Sequence, residues 1–438
     1  WAVDYEPGAV VHRSVGLDSG QRGLITVVFR ATSDDRGSQA NVRVVATAID
    51  TPPDEWIVRM DIARVIWVMS TADSGPATLR EGILEANRNC TGAFRCVVNV
   101  EMPGRADVPV VDLLTPLPPI TAVRTTIGTY AYDPGFRPIV ELNGAALTAG
   151  NGLELRGAWN DVRIRRVAIR NFPENGIAVI GDTPAARRRL AIEFSVIGDN
   201  ALRGISVADP SADVIAGASE IGRNGRSGIS IWQAAAFGLT TSFLGVTRAG
   251  APWPNAASGL FVAPGVSGVA ITSNVIGSHP EFGVALGGVP SSLMFLGNTL
   301  QPGGLLAFDY GLDGPTPNDV LDTDGIPNTP ILLDATYDAA RDRTMVRGYF
   351  DTPGLGEAHN AVLYAGAAPD RFGVVTGRVV GGAQMWRRST GELIGREFTA
   401  EIPGDLRGQF ISAQMTVSIW ADWSPTLTSE FSRAIEVK

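Results

Sequence analysis

Residues 175–179 read NGIAV, and the same order of glycine, apolar, small and apolar positions returns as RGISV (203–207), SGISI (227–231), SGLFV (258–262) and FGVAL (282–286). The leading glycines are Gly152, Gly176, Gly204, Gly228, Gly259 and Gly283, at spacings of 24, 28, 24, 31 and 24 residues. Self-similarity at such a period marks stacked structural repeats. Ile177 and Val179 lie two apart, so in a strand they point to one side while Ala178 points to the other. A second set with this spacing lies upstream: Val162/Ile164, Leu190/Ile192, Phe237/Leu239, Val269/Ile271 and Leu293/Phe295. A third follows it: Val167/Ile169, Val196, Ile221, Phe243 and Val275. Three short strands per period, divided by turns, predict one coil of a parallel β-helix.

Gly, Asn, Asp and Ser gather between the strands, as in VIGDN (196–200), EIGRN (220–224) and VIGSH (275–279), where a sharp turn favours residues that tolerate positive φ. The repeat glycine is read as turning the corner, the two apolar residues as filling the interior, and the small residue between them as facing solvent or a ligand. The longer spacings mark loops inserted at a turn. Leucine-rich repeats are the competing reading, but they carry a denser Leu pattern with Asn at a fixed offset, whereas the inward positions here mix Ile, Val, Leu and Phe.

A stack of parallel strands leaves unpaired backbone at both ends, which must be covered. SGPATLREGILEANRN (74–89) is amphipathic, with Leu79, Ile83 and Ala86 on one stripe and Thr78 with Glu81 in capping-box spacing; it predicts a cap helix over 78–88. From Ile331 onward MVRGYF (345–350), AVLYAG (361–366) and MTVSIWA (415–421) alternate as antiparallel strands do, and a β-sandwich there would cover the C-terminal edge of the coil. GLITVVFRATSDDRGSQANVRVVATAID (23–50) reads as two strands about a polar turn. The expected organisation is an N-terminal β segment over 1–62, the β-helix with its cap over 63–316, a linker over 317–330 and the sandwich over 331–438.

Composition narrows the picture. The 438 residues are 45% hydrophobic and 18% charged, with 51 Gly and 28 Pro, the balance of a folded, turn-rich chain. The formal net charge of −9, with no long basic run, argues against nucleic acid as a partner, and no apolar stretch reaches the ~18 residues of a transmembrane helix. Lys438 is the single lysine, which removes lysine-based covalent chemistry from the body of the chain. Cys90 and Cys96 are the two cysteines; they read as a disulfide of an extracellular or periplasmic protein, with two buried free thiols as the alternative. Trp1 opens the chain without a charged and apolar leader, as expected where an export signal has been removed or lies outside this chain.

The stretch STADSGPATLREGILEANRNCTGAFRCVVNVEMPG (70–104) resembles the start of the CSLREA-type bacterial secreted proteins, right-handed parallel β-helices of the pectate-lyase-like superfamily. The seven-letter motif falls on Ala77 to Ile83, departing at Ala77, where the family has Cys, and at Gly82, where Ala is usual. PNDVLDTDGIPNTPILLDA (317–335) and GQFISAQMTVSIWADWSPTLTSEFSRAIEV (408–437) extend the similarity, the latter resembling a terminal β-sandwich module, while the segment 23–50 resembles part of an immunoglobulin-like bacterial repeat. The resemblance covers residues 65–438 and is strongest at its two edges. It implies export and a cell-surface or matrix setting, and brings no catalytic residues with it.

Three places carry candidate chemistry. In NDVLDTDGIPN (318–328), Asp322, Asp324 and Asn328 have a spacing that lets alternate oxygens converge on calcium while Gly325 permits the turn. The pattern lacks the terminal Glu of an EF-hand, so a turn whose side chains cap their own backbone is the other reading. Aligning the repeats stacks Asn171, Asp199, Arg223 and Ser278 in one turn column, Phe172, Asn200, Asn224 and His279 in the next, and Glu174, Leu202, Arg226 and Glu281 in a third. As an enzyme site this surface would use Asp199, Arg223, His279 and Glu281 for polysaccharide lysis or hydrolysis; as a binding surface it would use Asn200, Asn224 and Arg226. TRAGAPWPNAAS (247–258) adds Trp253 between prolines, read either as a sugar-stacking indole or as cover for the adjacent coil.

The sequence therefore predicts an all-β, secreted or cell-surface β-helix protein that binds glycans or other surface components without catalysis, in an adhesion or matrix role, calcium being the one cofactor expected. A polysaccharide lyase or glycoside hydrolase of the same fold is the alternative. A structural subunit self-associating through residues 1–62 is the third reading.

Overall fold

Leu153, Ile177, Ile205, Ile229, Leu260, Val284 and Phe308 stack as direct neighbours in one parallel sheet, and all are buried. The chain is seen as a computed structural model describing residues 2–4, 39–46, 54–61 and 63–438, apart from 103–106, 130–134, 136, 182–185, 302, 320–323, 352–357, 388–392, 395–396 and 419–425. Among the described residues the coil has three parallel sheets. Sheet 1 runs through nine strands, from Ala63–Val68 to Ser292–Leu296, sheet 2 through eight, from Val110–Asp112 to Thr299–Leu300, and sheet 3 through seven, from Leu153–Arg156 to Phe308–Tyr310. The architecture is a right-handed parallel β-helix whose interior is a continuous stack of aliphatic side chains, each worth about 1.5–3 kcal/mol when fully buried.

The repeat glycine has a different reason from the one its sequence neighbourhood suggests. None of these six has positive φ. Instead, a Cβ on Gly176 would sit 2.8 Å from the carbonyl oxygen of Gly204, and one on Gly204 would sit 2.6 Å from that of Gly228. Each glycine lets the next coil's backbone approach where the chain enters sheet 3, so the requirement is for space. Left-handed backbone falls elsewhere, on Arg166, Phe194, Ala218, Thr241 and Ser273 at the corner from sheet 1 to sheet 2, and such residues carry a strain of about 1–3 kcal/mol. A ladder of side chains fixes that corner: the Ser195, Ser219, Ser242 and Asn274 backbone N–H groups donate to the side-chain oxygens of Ser219, Ser242, Asn274 and Asn298 on the following coils.

The third inward set requires a correction. Ile169, Ile197, Ile221, Leu244, Ile276 and Leu300 form the buried column of sheet 2, whereas Val196, Phe243 and Val275 lie on the outer side and are only half-buried. Each of these strands is two or three residues long and begins with two apolar residues, so no alternation identifies the inward one.

Both ends of the stack are covered. Helix α1 (Leu79–Asn89) is N-capped by Thr78, whose hydroxyl accepts the Glu81 N–H, and its buried face, Leu79, Ile83 and Ala86, joins the coil's own core. The Asn87 side chain accepts the Thr121 and Ala122 N–H groups and donates to the Pro119 carbonyl, standing in for a missing coil. Cys90 and Cys96 form a disulfide that ties the end of α1 to the strand Thr91–Val100. At the far end, two antiparallel sheets, one of Ile331–Asp338, Arg343–Tyr349 and Glu397–Pro403 and one centred on Ala358–Gly366 and Phe410–Ser418, enclose a second core of Val346, Leu363, Ile402 and Ile411 among others.

This C-terminal region meets all three sheets of the last coil. Thr428 bonds the strand edge at Phe295 and Leu293 in sheet 1, the Gly377 carbonyl accepts Leu300 N–H in sheet 2, and Glu430 accepts Tyr310 N–H in sheet 3. N-terminal to the coil, Ala2–Asp4, Gln39–Ala46 and Asp54–Asp61 form an antiparallel sheet; the first of the two strands expected within 23–50 lies outside the described residues.

Candidate functional site

The turn columns from sheet 2 to sheet 3 line up in the expected order, but they do two separate jobs. Asn171, Asp199 and Arg223 occupy left-handed corner positions and project outward. Asp199 accepts from the Arg223 Nε at 2.6 Å and pairs with Arg170, which also faces Glu141 at 3.5 Å. The result is an alternating ladder, Glu141–Arg170–Asp199–Arg223, that neutralises itself.

The next column turns inward. The Asn200 and Asn224 side chains are buried, and each donates to the next rung, Asn200 to Asn224 at 3.0 Å and Asn224 to Asn255 at 2.8 Å. They bond the interior of the corner and offer nothing to a ligand. Asn255, a rung hidden in the 247–258 insertion, was not singled out in the sequence because the insertion breaks the spacing. His279 ends this column, buried, with Nδ1 accepting the Asn255 N–H at 3.2 Å. Burial pushes its imidazole down to about 4, so it is neutral at neutral pH and sealed from substrate. Glu281 is held by the Ser258 hydroxyl at 3.0 Å. Asp199, Arg223, His279 and Glu281 therefore do not assemble an acid–base site: the first two pair with each other, the third is interior, and the fourth bonds elsewhere.

Trp253 takes the second of its two readings, cover for the adjacent coil. It is only 5% exposed and lies flat on the outer face of sheet 2, where a Cβ on Gly198 or Gly222 would fall 2.3–2.5 Å from its ring atoms. Arg170 and Arg223 cover it, at 5.2 and 5.9 Å from guanidinium carbon to ring centroid. The inserted loop folds back and plugs the groove with an indole.

An open surface lies on sheet 3. In the strand Ile229–Gln233 the pairing with the preceding strand shifts register after Val207, and Trp232 emerges 40% exposed. Its ring stands 5.0 Å from Phe261 on the next coil, and Arg203 lies 5.1 Å over its face with Nε donating to the Ser230 hydroxyl at 3.1 Å. Burial, and then the charge of Arg226, lower the Arg203 pKa, so two guanidinium groups share this patch. Among the described residues neither forms an ion pair with a carboxylate. Arg226 was expected to bind a ligand; Phe261 holds the outward middle position of its repeat but was not singled out, and Trp232 and Arg203 were missed. The signal available was SGISIWQ (227–233), where an aromatic follows two inward Ile residues and breaks the alternation.

The linker residues divide. The Asn328 amide donates to the Asp319 carbonyl at 2.7 Å and its oxygen accepts the Asp319 N–H at 2.9 Å, while the Asp324 carboxylate accepts the Ile326 N–H. Asp322 lies outside the described residues. Among the described residues no group of three or more His, Cys, Asp or Glu side chains has a metal-binding arrangement.

No protein-family model matches this chain, and no curated protein does. Among solved structures it is similar to the A-module of mannuronan C-5 epimerase AlgE6 from Azotobacter vinelandii, at 16% identity and a TM-score of 0.32 over 51% of this chain and 62% of that one. It is similar to tailspike protein 2 of Escherichia coli O157:H7 bacteriophage CAB120, at 8% identity and a TM-score of 0.28 over 78% and 62%. A third is tailspike protein gp49 of Acinetobacter baumannii bacteriophage Fri1, a capsular polysaccharide depolymerase, at 9% identity and a TM-score of 0.25 over 78% and 68%. The chain spans about three-fifths of the length of the first two. The strand registers themselves establish the fold. No helix among the described residues is long and apolar enough to cross a membrane.

Proposed function

We propose that this chain is an exported β-helix protein of the CSLREA type that holds an acidic glycan on the outer face of sheet 3. The observation that carries the reading is the open patch of Trp232 and Phe261 beneath Arg203, with Arg226 beside it. An exposed indole beside a half-buried phenyl offers apolar faces to sugar C–H groups, and two guanidinium groups without carboxylate partners among the described residues are donors for a sugar carboxylate or sulfate. The disulfide fits an oxidising compartment. The test is equilibrium binding of a uronic-acid polymer and of neutral dextran to the whole chain: binding of the acidic polymer supports the reading, and binding of neither overturns it.

The second reading is a polysaccharide-cleaving or -modifying enzyme of the same fold, the class of activity named for the solved neighbours. It requires an acid and a base beside the bound sugar, a requirement the Asp199, Arg223, His279 and Glu281 set does not meet. Prolonged incubation with the acidic polymer separates the two: new reducing ends, unsaturated products or altered sugar composition establish turnover, and an unchanged polymer leaves binding alone.

A further inference from the structure

The junction between the last coil and the C-terminal region buries two acids, Asp309 and Glu430. Asp309, on the outer side of the strand Phe308–Tyr310, is fully buried. Neither of its carboxylate oxygens has a hydrogen-bond partner of normal geometry among the described residues. Glu430 is also buried. It comes from the C-terminal region and replaces the strand that a further coil would have supplied, accepting the Tyr310 N–H at 2.7 Å and the Thr316 N–H. Burial raises the Glu430 carboxyl above its ordinary value against the pull of those two bonds, and its charge, when ionised, acts on Asp309. The charged groups acting on Asp309 are Glu430 and Asp313, both negative. Tyr310, whose hydroxyl donates to the Thr428 carbonyl, is the remaining titratable neighbour.

A buried carboxyl with no hydrogen bond of normal geometry, set against a second acid, is favoured in its neutral form. A proton on one of the two acids neutralises the site without any further ligand. We propose that Asp309 and Glu430 form an acid-strengthened latch that holds the C-terminal sandwich on the last coil and loosens as the solution becomes neutral to alkaline.

Burial first, then the Glu430 charge, push the Asp309 carboxyl up to about 7, with the facing N–H groups of Gly314 and Leu312 opposing the shift. A carboxyl whose folded value is raised binds its proton more tightly when docked. The docked state is therefore favoured at and below about pH 4, and the advantage is lost progressively as pH rises to about 7. His279 acts in the opposite sense, since its lowered value makes acidification unfavourable, so the latch must be read as a difference between variants.

The experiment uses the whole chain and Asp309→Asn, which keeps the shape and removes the charge. Thermal unfolding and amide exchange at Tyr310, corrected for the intrinsic pH dependence of exchange, are followed from pH 5 to pH 8. Exchange protection in the unsubstituted protein is expected to fall by roughly tenfold or more. Asp309→Asn should lose less protection than the unsubstituted protein between pH 5 and pH 8 and be the more protected and more thermostable of the two at pH 8. Equal pH profiles for the two proteins overturn the latch. Exchange in the unsubstituted protein alone keeps the test decisive if the variant misfolds, because a flat profile at Tyr310 contradicts the proposal directly. Restoration of protection at pH 8 by millimolar calcium chloride also overturns it, since the acids would then be a cation site.

Discussion

Trp253 and Trp232 sit on adjoining coils, each beneath arginine, yet one is sealed and the other is open. On sheet 2 the arginines over Trp253 are matched by Asp199 and Glu141, and glycines let the indole press onto the backbone. On sheet 3 Trp232 is lifted by a register shift, and Arg203 with Arg226 faces no carboxylate partner among the described residues. The same pair of residue types thus makes a plug where its charge is balanced and a candidate binding surface where it is not. The difference lies in neighbours, many of them a coil or more away in sequence, so neither role belongs to the tryptophan itself.

The largest effect is expected at the sealed side. Trp253→Ala should destabilise the protein by about 3–5 kcal/mol, the range for removing a large buried ring, seen as a marked drop in thermal midpoint. The folded fraction should still bind the acidic polymer with unchanged affinity. Trp232→Ala should do the reverse: thermal unfolding close to that of the parent, and affinity for the acidic polymer weakened about tenfold, or ~1.4 kcal/mol. A smaller effect is expected from Arg226→Gln, a few-fold loss at low ionic strength that disappears at high salt, because exposed charges are screened. If all three variants lost stability equally, the two surfaces would not differ in kind.

Much of the coil was legible because its demands are local and periodic. The residues Ile177, Ile205, Ile229, Leu260 and Val284 pair in register as their spacing implies, and the cap helix begins at the Thr78 signal. Sheet 2 was less legible, since strands of two or three residues carry no alternation. Asn200 and Asn224 were visible as a column, but whether a polar column points inward depends on which side of a left-handed residue it falls. The open patch was only partly legible: the alternation in SGLFV puts Phe261 on the outer side, but the register shift at Trp232 and the chain's path past Arg203 are not written in the repeat.

Sheet 3, and not the sealed face of sheet 2, is the face proposed to hold the glycan. One titration addresses it: a uronic-acid oligomer against the unsubstituted chain, the double variant Arg203→Gln/Arg226→Gln, and Arg223→Gln, all at one low ionic strength. The prediction is a loss of tenfold or more, roughly 1.4 kcal/mol, in the double variant with Arg223→Gln indistinguishable from the parent. Undiminished binding by the double variant, or a loss confined to Arg223→Gln, would contradict it.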